Sequence, residues 1–342
     1  MGRFQELRDI LDQGRFFKVV CGAGNEDPQE VNRLCLVYTL AGSLGIDLSA
    51  NVEVVEAGMR GVDSAFELAS ELGIPLTTRP FINVSVGLKG DPHVRKARIR
   101  TEQCSEFGVC VDACDQEAIV SDPISILAHR CVGCGKCGEV CSFDAVEYYT
   151  RKVDFNDILP RCLAAGAETL ELHAIVADDE PVLRDWRSVA EILPDQFISM
   201  CLDRSQLSDR HLISRVREAA EIAGDRLIIQ ADGAPMSGDA DDFKTTLQAV
   251  ACAELVVKSG LSARILVSGG TNSRTGELAR LCGLPVHGVS VGTFARNLVR
   301  EEIKTPDFPS DHETLMRAVE KARNLVDGNI REIRRDLRCP SI

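Results

Sequence analysis

No stretch of the 342-residue chain is long and apolar enough to span a bilayer as a helix, so a transmembrane segment is not expected. The opening residues, Met1-Gly-Arg-Phe-Gln-Glu-Leu7, lack the apolar run of a signal peptide. Gly2 is not followed by the Ser or Thr that an N-myristoylation signal requires. Positive charge is short as well: 39 Lys and Arg stand against 52 Asp and Glu, a net charge of −13. Such a surface repels a phosphate backbone, and nucleic acid is therefore not expected as a partner. Disulfide pairing patterns are missing among Cys21, Cys35, Cys162, Cys201, Cys252, Cys282 and Cys339, which are scattered. That usage points to a reducing, cytoplasmic interior and away from a secreted disulfide scaffold.

What the chain does have is a concentration of the other seven cysteines between residues 98 and 150. The run Cys131-Val-Gly-Cys134-Gly-Lys-Cys137-Gly-Glu-Val-Cys141 has the C-x2-C-x2-C-x3-C spacing with which bacterial ferredoxins hold cubane iron–sulfur clusters. Three thiolates two residues apart wrap one loop around three corners of a cube, and the fourth serves a second cluster. Zinc fits less well, because it needs only four ligands and usually takes them as separated pairs. Upstream, Cys114-Asp-Gln-Glu-Ala-Ile aligns with Cys141-Ser-Phe-Asp-Ala-Val, which makes Cys110 the third and Cys104 the first cysteine of another run. Its second ligand position is Phe107.

Exchange of the fourth ligand between runs assigns Cys131, Cys134, Cys137 and Cys114 to one [4Fe–4S] cluster. Cys104, Cys110 and Cys141 are left for a second centre with no sulfur at the corner of Phe107. It can be a [3Fe–4S] cluster, a [4Fe–4S] cluster completed by water or by a carboxylate of Glu106 or Asp112, or a cube whose open iron binds substrate. The three-iron form is preferred, because Phe107 is bulky and cannot ligate; a degenerate run that binds nothing is the plain alternative. The segment from Arg98 to Thr150 carries nine acidic and four basic side chains, which would attract a basic redox partner.

Around this segment, short apolar runs alternate with helical stretches. Strands are expected at Phe16–Cys21, Ile46–Ala50, Phe81–Val86, Thr169–Ile175, Gln196–Cys201, Leu227–Ala231, Arg264–Ser268 and Val286–Val291. Helices are expected from about Asp27, with Pro28 in the first turn, and at 52–72 and 154–165, while Gly45 reads as a helix stop. Ser310-Asp-His-Glu313 resembles a capping box that opens a C-terminal helix. Strand–helix alternation implies a parallel sheet, and eight strands favour a (β/α)8 TIM-like barrel over an open doubly wound sheet. On this reading residues 1–96 begin the barrel, 97–150 form a two-cluster, bacterial-ferredoxin-like insertion after strand three, 151–305 complete the barrel and 306–342 are a helical extension.

Barrels of this kind work at the C-terminal ends of their strands, and these ends are polar here. Asp47 and Ser49, Asn83 and Ser85, Glu171 and His173, and Gln230 and Asp232 share strand faces in pairs by two-residue alternation. They are expected to line a small-molecule pocket, with Asp47, Glu171, His173 and Asp232 as catalytic candidates; the competing expectation is that several only cap turns. The strand-seven loop (Gly269, Gly270, Thr271, Asn272) and the strand-eight loop (Gly292, Thr293) permit close backbone approach to an anion, such as the phosphate of a substrate or flavin. Neither loop matches a Walker or dinucleotide fingerprint.

Several pieces resemble the light-dependent period (LdpA) family: Phe17-Lys-Val-Val-Cys-Gly-Ala23, Leu36-Val-Tyr-Thr-Leu-Ala-Gly42, Gly90-Asp-Pro-His-Val-Arg-Lys96, the Cys131–Cys141 run and Gly288-Val-Ser-Val-Gly-Thr-Phe-Ala-Arg296. The resemblance spans nearly the whole chain. It implies an iron–sulfur protein of the kind that passes cellular redox state to the cyanobacterial circadian clock, hence a redox-responsive protein with a redox partner or regulatory kinase. A sensor and an oxidoreductase that passes electrons to a flavin or phosphorylated substrate stand level. A plain electron carrier would have no use for a lined barrel pocket.

Overall fold

A computed structural model describes residues 2–22, 24–88, 95–150, 154–233 and 240–334. Part of the Gly90–Lys96 motif, Ala23 and Cys339 lie outside these residues.

The chain opens with helix α1 (Arg3–Asp12), strand β1 (Phe16–Val20), α2 (Pro28–Leu40), β2 (Gly45–Ser49), α3 (Val52–Glu71) and β3 (Phe81–Gly87). An inserted segment follows: β4 (Arg95–Ile99), α4 (Val109–Asp112), β5 (Ile119–Ser121), β6 (Ile124–Ile126), α5 (Lys136–Glu139) and β7 (Val146–Thr150). Alternation resumes with α6 (Phe155–Ala164), β8 (Thr169–His173), α7 (Asp179–Ile192), β9 (Ile198–Leu202), α8 (Asp209–Ala223), β10 (Leu227–Asp232), α9 (Phe243–Lys258), β11 (Arg264–Ser268), α10 (Thr275–Leu281) and β12 (Gly288–Val291). Three helices end the chain: α11 (Thr293–Leu298), α12 (Arg300–Ile303) and α13 (His312–Ile333).

β1, β2, β3, β8, β9, β10, β11 and β12 form a closed parallel barrel in that order. Closure comes from β1 pairing with β12, Phe16 opposite Gly288 and Val19 opposite Val291, which rules out the open doubly wound alternative. Polar side chains set where the helices start. Asp27, Asn51, Asp154, Asp178, Ser208, Asp242 and Asp311 each accept backbone N–H groups of the first turn. Each such cap is worth roughly 0.5–2 kcal/mol. The cap of α13 is therefore Asp311, not Ser310 as the capping-box reading expected.

The barrel is filled in layers. At its N-terminal end Phe16, Phe81, Phe197, Ile228 and Leu266 pack under Leu7, Ile10 and Leu11 of α1, a helix the strand pattern did not reveal. Gly45 is a strand residue here, not a helix stop: a Cβ on it would stand 2.5 Å from the Phe16 ring. One layer up the interior turns polar, with Lys18, Asp47, Asn83, Glu171, Ser199, Gln230 and Ser290 all buried.

The inserted segment leaves the barrel after β3 and returns before β8. Its ends pair antiparallel, Arg95 opposite Thr150 and Ile99 opposite Val146, while β5 and β6 form a hairpin. Side chains lash it to the barrel mouth. Arg130 meets Asp27 at 3.0 Å, Lys96 donates to the carbonyl of Gly24 at 2.5 Å, and Lys304 pairs with Glu117.

Candidate functional site

The two cysteine runs fold into matching halves. Cys104 to Ala118 and Cys131 to Ala145 each contain a short helix entered from a left-handed glycine, Gly108 at φ 76° and Gly135 at φ 98°. The residue two before that glycine is also left-handed in both, Glu106 at φ 58° and Gly133 at φ 66°. Glu117 (φ 48°) and Asp144 (φ 50°) repeat the match three residues past the last cysteine. In each half a backbone N–H then bonds that cysteine's sulfur: Ala118 to Cys114 at 3.3 Å and Ala145 to Cys141 at 3.4 Å. The loop that carries Phe107 thus matches the backbone of the Cys131–Cys141 loop without its second thiol.

The halves bring the sulfurs together across the pseudo-repeat. Cys131, Cys134, Cys137 and Cys114 line one cavity of about 350 Å3, closed by Ala97, Ile126 and Tyr148. The backbone N–H of Ala97 donates to Cys131 at 3.3 Å, and the Tyr148 hydroxyl lies 3.8 Å from the Cys137 sulfur. Burial raises the Cys110 thiol pKa, and the neighbouring thiols that add to the rise are Cys104 and Cys141. Burial likewise raises Cys134, with Cys114 and Cys131 contributing. Among the described residues, the group of potential ligand atoms lying within 4.8 Å of one another is Glu171, His173 and Cys201, so no three sulfurs of the inserted segment approach that closely. Four thiolates on zinc, with bonds of about 2.3 Å, would stand roughly 3.8 Å apart. The Phe107 ring is 76% exposed and leans on Phe143 at 5.7 Å. Glu106 and Asp112 are exposed as well.

The barrel cavity, about 740 Å3, opens at the C-terminal ends of the strands and is lined by Asp47, Glu171, His173, Cys201, Asp232 and Arg296. Gly269, Gly270, Thr271, Gly292 and Thr293 also line it; Asn272 does not. The Asn272 amide donates to the carbonyls of Ala240 (2.9 Å) and Asp242 (2.7 Å), a structural tie between loops. Thr271 spends its hydroxyl on the carbonyl of Ser290 at 2.6 Å. Asn83, Ser85 and Gln230 are set behind the lining, in a network that holds the two carboxylates. Asn83 and Ser85 donate to Asp47 at 2.5 Å each, and Gln230 donates to Glu171. Ser49 is buried with no hydrogen-bond partner for its hydroxyl.

Lys18, which the strand pattern passed over, organises this network. Its ammonium lies 2.6 Å from Glu171 and both groups are buried. Burial opposes the charge on Glu171, but Lys18 and His173 outweigh it and the pKa is lowered to about 2. Asp47 moves the other way, because burial and the Glu171 charge exceed what Lys18 returns. Two carboxylates of one interior thereby differ in readiness to hold a proton, the usual arrangement for dividing acid and base roles. A lysine in the middle of the apolar strand Phe-Phe-Lys-Val-Val was the available signal, since lysine is almost never fully buried unpaired. Arg296 is also buried; it donates to the carbonyls of Val20 and Cys21, and its Nε has no partner.

The two cavities share a wall. Val132, between the first two cysteines of the complete run, lines both.

Comparison with known proteins now bears on these residues. A family model described as the light dependent period A C-terminal domain matches residues 162–328, from α6 to the body of α13. The protein named light dependent period A of Synechococcus elongatus is 28% identical over 296 residues, 85% of this chain and 80% of that protein. By both matches the chain is similar to the light dependent period A family. The matched C-terminal region holds Glu171, His173, Cys201, Asp232 and Arg296. Among solved structures, the YdjI aldolase of Escherichia coli K12 is similar at 7% identity, covering 96% of this chain and 94% of that one, with a TM-score of 0.46. A truncated 3-deoxy-D-arabino-heptulosonate 7-phosphate synthase of Thermotoga maritima is similar at 11% identity over 92% and 87%, with a TM-score of 0.45. Neither likeness extends to chemistry.

Proposed function

We propose that this chain is an iron–sulfur redox protein of the light dependent period A type, which senses or relays cellular redox state beside its barrel cavity. The observation that carries the reading is the partition of seven cysteines into a cavity-lining four and an outer three, with Val132 as the wall between the four and the barrel. Soft thiolates at that spacing suit iron–sulfur centres. Cys131, Cys134, Cys137 and Cys114 would hold a four-iron cluster, and Cys104, Cys110 and Cys141 a three-iron or open-site one. Bound there, such centres supply reversible one-electron storage.

The chain's own groups would tune and address them. The N–H groups of Ala97, Ala118 and Ala145 stabilise charge on Cys131, Cys114 and Cys141, which favours a reduced centre. Phe107, Val109, Val140 and Phe143 make an exposed apolar edge beside the outer three cysteines. Set in an acidic segment, that edge fits a basic redox partner.

The test is anaerobic purification with iron and inorganic sulfide analysis and low-temperature electron paramagnetic resonance. Iron, sulfide and a reversible signal are expected; zinc or no metal in the cysteine module would overturn the proposal.

A second reading, an oxidoreductase acting on an anionic or flavin ligand in the barrel, is favoured by Arg296. Its buried guanidinium lines the cavity with an unpartnered Nε. A flavin spectrum, or donor–acceptor turnover that Arg296→Met weakens, would support it.

A further inference from the structure

The floor of the barrel cavity gathers a donor set of another kind. Glu171 and His173 come from β8 and Cys201 from β9, and one ligand atom from each lies within 4.8 Å of the other two. All three are buried and all line the cavity. His173 Nε2 stands 3.4 Å from Glu171 Oε1. A tetrahedral ion with bonds of about 2.0–2.2 Å to nitrogen and oxygen sets two such ligands roughly 3.4 Å apart.

The surroundings suit ligation. Glu171 Oε2 takes the lysine and amide donors, at 2.6 Å from Lys18 and 3.3 Å from Asn83, which leaves Oε1 turned to His173. Fixing one carboxylate oxygen in this way is how proteins orient a metal ligand. Cys201 donates its thiol proton to Asp232 Oδ2 at 3.3 Å, while Asp232 Oδ1 is pinned by the N–H of Gly233 at 3.0 Å. Gly269 leaves the room for it, since a Cβ there would lie 1.4 Å from Oδ1.

We propose that Glu171, His173 and Cys201 bind one divalent transition-metal ion of the zinc class, with the fourth coordination position facing the cavity. On binding, the Cys201 S–H bond breaks, the metal–sulfur bond forms, and the proton passes to Asp232 or to solvent. With the proton released to solvent, Glu171, the Cys201 thiolate and the neighbouring Asp232 carry three negative charges against the ion's 2+ and the Lys18 ammonium. A thiolate–imidazole–carboxylate set selects zinc, cobalt or ferrous iron over magnesium and calcium. The site shares no ligand with the cysteine module and does not depend on what that module holds.

The test uses full-length protein loaded with Co2+ and measured by X-ray absorption at the cobalt edge, to which iron is silent. Expected is one sulfur at about 2.3 Å with nitrogen or oxygen neighbours at about 2.0–2.2 Å. Cys201→Ser should remove the sulfur contribution. His173→Gln, the second variant should the first fail to fold, should weaken Co2+ binding beyond the roughly 10–100-fold typical of losing a group that merely supports a ligand. Failure of the wild type to retain Co2+, a sulfur-only shell, or a sulfur signal that survives Cys201→Ser would each overturn the site. Iron and sulfide counted in the same samples separate the two proposals: their loss with cobalt intact sinks only the cluster reading.

Discussion

The cysteines of the Cys131–Cys141 run stand three or four residues apart, whereas Glu171, Cys201 and Asp232 are separated by 30 and 31 residues. The first region is assembled by the local course of one loop, with left-handed residues at Gly133 and Gly135 turning three sulfurs inward. The second exists only because three neighbouring strands of a closed barrel present their ends together. Local assembly leaves a trace when it is damaged: the Phe107 loop keeps its backbone, and the missing cysteine is recognisable in position. Assembly through the barrel leaves no spacing to read, and its members are held by charge. Lys18 cannot be removed without stranding Glu171.

That contrast can be tested from its strongest consequence downward. Lys18→Met should destabilise the barrel by about 3–5 kcal/mol in urea unfolding, the cost of leaving one member of a buried ion pair uncompensated. A loss below about 1 kcal/mol would mean Glu171 is not held as a buried anion. The same pair fixes a pH dependence. Because the folded pKa of Glu171 is lowered to about 2, its contribution is fully present above the unfolded carboxylate's value of about 4.3 and fades as pH falls toward 2. The stability gap between wild type and Lys18→Met should therefore narrow between pH 5 and pH 2, with pH-resolved unfolding as the measurement.

In the module, substitutions should change metal content and leave the barrel standing. Cys114→Ala should cost about one iron per chain, turning the four-iron centre into a three-iron one, while the barrel's thermal unfolding is unchanged. Loss of iron from both centres alike would argue against the partition. Phe107→Cys should add one iron per chain and convert a three-iron resonance to a four-iron one. Its stability cost should stay within about 0.5 kcal/mol, since the side chain is exposed and the loop already has a ligand-bearing backbone. A natural protein that already holds two four-iron cubes would refute the three-iron preference. Lys304→Ala, which releases the exposed pair with Glu117, should change stability by at most about 1 kcal/mol. A larger change would show that the module is docked by its surface charges more than by Lys96 and Arg130.

Periodicity and spacing were enough for the eight strands, because each is a short apolar run bounded by turns. The same spacing set Cys114 with the 131 run, and those four cysteines line one cavity. The polar strand ends were legible as a group but not in their division of labour. Asp47, Glu171, His173 and Asp232 reach the cavity, while Asn83, Ser85 and Gln230 stand behind them as hydrogen-bond donors. Two-residue alternation says only which face a side chain takes, and depth within a barrel depends on stagger between strands. Asn272 was misread because a buried amide serves equally to tie loops and to bind ligands. Cys201 lay unnoticed among scattered cysteines, and Arg296 carried no motif that marked it as the buried cation of the cavity.

By itself, then, the sequence determined the eight barrel strands and the order of cysteines along two loops and favoured a closed barrel, all from short-range spacing and hydrophobic pattern, while the pairing of β1 with β12 closed it. Only the tertiary structure decided that α1 plugs one end of the barrel, that Lys18 meets Glu171 in its middle, and that Val132 stands between thiols and cavity. Those three juxtapositions join residues distant in sequence, and the burial of charge and apolar surface that enforces them is a property of the closed fold as a whole.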